Sequence, residues 1–203
     1  MSERELRAGA VVVVGGVVFE VAYAIAGTPP GPIPLLVALS AVALTTAAVL
    51  RKRTVALGWL TAVLLAADFG GAVADRFGLL GDPGTSGVTW GDWSAFTTYT
   101  GTLVPWLPHA LVAPLAVGAT TTEVALCGWL LSGVARRWAG RASAVVLAAF
   151  FLAMLTSVGG AAVAKNAVPV LAGCALVLAT VPVRRSADRA TTAAARVPRH
   201  GAG

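Results

Sequence analysis

RKRTVALGWLTAVLLAADFGGAVADRFG, residues 51–78, opens with three basic residues and continues as an apolar run from Val55 to Ala74. About 20 such residues at ~1.5 Å rise cross the ~30 Å of a bilayer's hydrocarbon. In that medium each backbone N–H and C=O must be satisfied within the segment, so the run is expected to be a helix. On either side, five further stretches have the same character: Ala8 to Ala26, Ile33 to Leu50, Ala110 to Leu131, Ala142 to Val163 and Ala167 to Val183. Most are bounded by Pro or Gly. Of the 203 residues 57% are hydrophobic and 12% charged, and the mean hydropathy is +0.82. A soluble domain carries roughly twice that charge fraction. The sequence therefore predicts an all-α polytopic membrane bundle of six helices and excludes soluble, collagen-like and low-complexity classes.

Basic residues near helix ends stay on the cytoplasmic side, so their distribution sets the orientation. Arg4 and Arg7 precede the first stretch, Arg51, Lys52 and Arg53 follow the second, and Arg136, Arg137 and Arg141 follow the fourth. Arg184, Arg185, Arg189, Arg196 and Arg199 follow the sixth, leaving Arg76 and Lys165 on the other side. Both termini are thus expected in the cytoplasm. The net charge of +6 belongs to these loops rather than to a nucleic-acid interface. The head of the chain also resembles a signal peptide, with Arg4, Arg7, an apolar run and Ala24-Ile25-Ala26; Glu3, Glu5 and Glu20 stand against that reading. The expected organisation is a two-helix unit over 1–53, a four-helix bundle over 54–183 and a disordered basic cytoplasmic tail over 184–203. Abundant Ala, Val and Arg suggest a high-GC bacterium and hence a bacterial inner membrane.

The one long loop, 78–107, begins with the turn-rich Gly81-Asp82-Pro83-Gly84-Thr85-Ser86-Gly87 and then becomes aromatic. Trp90, Trp93, Phe96, Tyr99 and Trp106 recur near helical spacing, with Asp92 as the N-cap of a short helix at the headgroup level. This is either an aromatic belt that anchors the loop or the lid of a ligand site bringing Trp93 and His109 to it.

Four carboxylates fall within or at the ends of the apolar stretches: Glu20, Asp68, Asp75 and Glu123. Each would cost ~3 kcal/mol or more at mid-bilayer, so each is expected to face the bundle interior, water or a partner, Glu20 turning to an outer vestibule. Asp68 and Asp75 are seven residues apart and share a helix face, and Arg76 is placed to pair with Asp75. Ala66, Gly70 and Ala74 form a small-residue strip beside them, marking this as the central helix. Glu123 has Thr120 and Cys127 one turn away on either side. Asp68, Asp75 and Glu123 are the proton-relay candidates, and Asp68, Arg76, Trp93, His109 and Glu123 the candidate ligand-binding set. The alternative is that these carboxylates only hydrogen-bond neighbouring helices.

His109 and His200 are the only histidines, too few for paired intramembrane haem ligands, so no haem is expected. Cys127 and Cys174 stand singly, without a C-x-x-C or zinc spacing, so no metal is expected. Nucleotide-binding and hydrolase motifs are absent.

Leu57-Gly58-Trp59, then Ala72-Val73-Ala74-Asp75-Arg76-Phe77-Gly78-Leu79, Pro83-Gly84, and Val88-Thr89-Trp90-Gly91-Asp92-Trp93 with Phe96 and Tyr99, resemble the DoxX-like family of small integral membrane proteins. So does Glu123-Val124-Ala125-Leu126-Cys127-Gly128-Trp129-Leu130-Leu131-Ser132-Gly133 followed by Arg136 and Arg137. The resemblance covers about residues 57–183 and departs in the two stretches before Arg51. It implies a four-helix bundle associated with quinone-linked redox or oxidative-stress systems, with Asp75, Arg76 and Glu123 as the matching polar positions. A quinone would be the cofactor, and lipid, a redox-enzyme subunit or further copies of the chain the partners. A proton-coupled transporter, or an anchor that recruits a soluble protein through Arg136, Arg137 and the tail, are the other readings.

Overall fold

The computed structural model describes residues 3–27, 32–50 and 54–180. The expectations placed on Arg51 to Arg53 and on the tail from Arg184 lie outside the described residues. Among the described residues the chain is all-helical: α1 (Glu3–Ile25), α2 (Pro32–Val49), α3 (Val55–Arg76), α4 (Trp93–Leu103), α5 (His109–Ser132), α6 (Arg136–Ser157), α7 (Gly160–Lys165) and α8 (Val168–Leu178). Four of them, α1, α3, α5 and α6, are long and apolar enough to cross a membrane. The described parts of α2 and α8 are apolar but shorter.

The apolar run expected over Ala142 to Val163 is cut earlier than its hydropathy suggests. Val158 and Gly159 both donate their N–H to the Met154 carbonyl at 2.9 Å, and Gly159 takes φ +85, which ends α6 at Ser157. A second interruption follows at Asn166, whose Nδ2 donates to the Ala162 carbonyl at 2.8 Å, and at Ala167, which takes φ +51. Apolarity carries no stop signal, whereas these backbone bonds do.

The centre is α8, not α3 as the small-residue strip suggested. It packs against α1, α2, α3, α6 and α7, and most of its side chains are buried. Glycines grip it on two sides. A Cβ at Gly16 would lie 2.8 Å from the Val170 backbone nitrogen, and one at Gly140 would lie 2.8 Å from the Ala175 carbonyl oxygen. Because α8 is apolar on every face, its burial leaves no stripe to read.

The strip on α3 has a narrower purpose. The Cys127 thiol of α5 donates to the Ala66 carbonyl at 3.4 Å, and a Cβ at Gly70 would lie 3.5 Å from the same sulfur. This close approach brings the polar side of α5 against α3. Thr54 starts α3, its Oγ1 accepting from the Leu57 N–H at 3.1 Å. Gly78, at φ +70, ends it, with its N–H on the Asp75 carbonyl at 3.0 Å.

Candidate functional site

With α3 and α5 antiparallel and offset, Arg76 at the end of α3 comes level with Thr120, 11 residues and so ~16 Å along α5 from its head. The loop and α4 fill the space this leaves beside the first half of α5. Asp75 fastens the loop: its Oδ2 accepts the N–H of Thr89 at 3.0 Å and of Trp90 at 3.2 Å, and its Oδ1 that of Gly91 at 3.1 Å. Gly91 is required there, since at φ +72 a Cβ would lie 2.4 Å from the Pro83 nitrogen. Asp92 caps α4 as its position suggested, its Oδ1 accepting from the Ala95 N–H at 2.7 Å.

Arg76 therefore pairs not with its neighbour Asp75 but across to α5. Its Nη2 donates to Glu123 Oε1 at 2.8 Å and its Nη1 to Thr120 Oγ1 at 2.9 Å. The same Nη1 comes within 2.5 Å of Glu123 Oε2, an ion-pair contact outside hydrogen-bond geometry. Arg76 is 3% exposed and Glu123 2%. The guanidinium carbon lies 3.8 Å from the centre of the Phe96 ring and 5.2 Å from that of Trp90, so two aromatic rings pack against the charge. Trp90, Trp93, Phe96 and Tyr99 form one ring cluster with Phe77, which stacks on Trp93 at 5.7 Å. Burial pushes the Tyr99 phenol above its ordinary value, keeping it a neutral hydroxyl.

Asp68, two turns below Arg76 on α3, is half-buried and within electrostatic range of Glu123. No hydrogen bond holds it among the described residues, and the Nε of Arg76 and Nε1 of Trp90 are buried and likewise without an acceptor. The site thus brings Arg76 and Glu123 together, with Asp68 within electrostatic range of Glu123 and Trp93 joined through Phe96. His109 stands exposed at the first turn of α5, outside this set. Glu20 is 6% exposed, packed inside rather than turned to a vestibule, with Oε1 lacking a partner. Cys127 and Cys174 are both free thiols.

The aromatic loop is more than a belt, because Trp90 and Phe96 cover a cation. Sequence spacing marked both rings but not their target, which depends on the offset between α3 and α5. Removing the fastening is a direct check. Asp75→Ala leaves three backbone N–H groups without their acceptor, an expected loss of about 2–4 kcal/mol. Limited proteolysis should then cut within 79–90 at a concentration of protease that leaves the parent chain intact.

Comparison with protein-family models, with curated proteins and with solved structures finds no match to this chain.

Proposed function

We propose that the chain is a DoxX-like, six-span protein of the bacterial inner membrane, with both termini in the cytoplasm, acting as an accessory subunit of a quinone-linked redox system. The Arg76–Glu123–Asp68 centre is its ligand and proton site. The observation that carries this reading is the buried Arg76–Glu123 ion pair under an aromatic roof, with a second carboxyl, Asp68, within electrostatic range of Glu123. Two carboxylates and one guanidinium leave a net negative charge inside an apolar bundle, and one proton removes it. Such a centre can hold and release that proton; the unpartnered N–H donors of Arg76 and Trp90 would be the groups to hold a quinone headgroup, which would supply the redox chemistry when bound. Asp75 is occupied with the loop, which leaves Asp68 and Glu123 for the proton.

Organic extraction and mass spectrometry of the detergent-purified protein test the proposal. The parent chain should carry quinone near one per chain, and Glu123→Gln or Asp68→Asn should lose most of it. Quinone absent from all three removes the redox reading.

A second reading, proton-coupled transport, has one observation of its own: the apolar segment 160–178 is interrupted at Asn166–Ala167, as transporter helices are at their sites. Vesicles containing the protein would then move protons only when a co-substrate gradient is applied.

A further inference from the structure

The turn between α5 and α6 holds a charge that no anion among the described residues meets. Gly133 takes φ +69, Ala135 takes φ +46, and α6 begins at Arg136 without a side-chain cap. Trp138 and Ala139 donate their N–H to the Ala135 carbonyl, while those of Arg136 and Arg137 have no acceptor among the described residues. Arg136 itself is 5% exposed, yet among the described residues only the face of Trp59, 4.0 Å away, meets its guanidinium. The other buried or half-buried arginines differ: Arg76 has Glu123, and Arg141 donates to Glu5 at 2.6 Å. A covered guanidinium with no anion is an incomplete arrangement.

The missing group can be described. The Nε of Arg136 is sealed and without a partner, whereas Nη1 and Nη2 keep accessible surface. Nη2 lies 3.2 Å from where a Gly133 Cβ would be, so the guanidinium is folded back over the turn towards which the free N–H groups of α6 point. Guanidinium and helix N-terminal N–H groups together suit a phosphate. Two apolar helices end here, and Trp138, Val134 and Leu131 are exposed beside the turn, giving an acyl chain a surface next to the phosphate. A dissolved phosphate would make no use of that surface.

We propose that the α5–α6 turn binds the phosphate of an anionic phospholipid headgroup, with Arg136 as the principal ligand and Arg137 lending charge. The proposal rests on the membrane-spanning part of the proposed function and not on the Arg76 centre.

The test uses the full chain, delipidated in neutral detergent and titrated with phosphatidylglycerol, phosphatidylcholine or inorganic phosphate, with bound lipid counted by native mass spectrometry. One phosphatidylglycerol should be held about tenfold more tightly than phosphatidylcholine; Arg136→Gln should abolish that preference, Arg136→Lys keep part of it, and Arg137→Gln cost about threefold or less. Arg136→Lys also keeps the test valid if the Gln variant does not fold. Equal phosphatidylglycerol binding by the parent and a folded Arg136→Gln overturns the proposal, as does saturation by inorganic phosphate alone. Loss of a soluble acidic partner in Arg136→Gln, with phosphatidylglycerol retained, overturns it in favour of protein docking. Release of the protein from membranes by alkaline carbonate would instead sink the membrane reading; failure of lipid binding in a carbonate-resistant protein sinks this proposal alone.

Discussion

Arg76→Met is expected to destabilise the protein by about 3–5 kcal/mol, and adding Glu123→Leu to restore most of that loss. The single change leaves the Glu123 carboxylate buried without its cation and with Asp68 within electrostatic range. Two acids would then face each other with no cation. It also strips Phe96 and Trp90 of the charge they cover, worth about 0.5–2 kcal/mol in such stacks. The double change removes the stranded charge and fills its place with a side chain of similar volume, which is where a buried pair and an apolar pair become comparable. Denaturant unfolding of the four proteins of the cycle, each in the same detergent, measures both quantities. A double variant as unstable as Arg76→Met would mean that Arg76 matters through the loop and α4 rather than through Glu123.

That pair also shows how far the sequence could be read. Glu123, Thr120 and Cys127 were recognisable as a polar stripe because their spacing alone puts them on one helix face, and all three turn to α3. Asp92 was recognisable as a cap for a similarly local reason. The partner of Arg76 was not. Adjacency in the chain favoured Asp75, while the structure sends the two side chains opposite ways, one to the loop backbone and one across to α5. Local spacing cannot report the offset between two helices, and that offset chose the partner. The same limit hid the central place of α8 and the unpaired state of Arg136, since both depend on what other elements bring near. Nor did hydropathy mark the break at Gly159, which backbone hydrogen bonds decide, whereas the one at Asn166 falls in the gap between the stretches ending at Val163 and beginning at Ala167.

The seam between α1 and α8 should not tolerate an added side chain: Gly173→Leu is expected to cost about 3 kcal/mol or more and to prevent folded protein from accumulating. A Cβ at Gly173 would lie 2.6 Å from the Val13 backbone nitrogen and 2.9 Å from the Gly9 carbonyl oxygen, and backbone atoms cannot swing aside as a side chain can. On the opposite helix Gly9 and Gly16 meet α8 as closely, so the two helices can relieve the clash only by separating. Separation would uncover Val13, Val170 and Cys174, which form a buried cluster with Ala38 and Ala41 of α2, so the N-terminal helices would loosen together. Gly15 supplies the control. It lies on the same helix, but a Cβ there would meet nothing within 4 Å, facing an apolar cavity of about 260 Å³ lined by Phe19, Ala148, Phe151 and Ala172. Gly15→Leu should therefore match the parent chain in yield and size-exclusion profile, while Gly173→Leu elutes as aggregate. Equal behaviour of the two variants would mean that α1 is held to the rest by general apolarity and not by close backbone contact along α8.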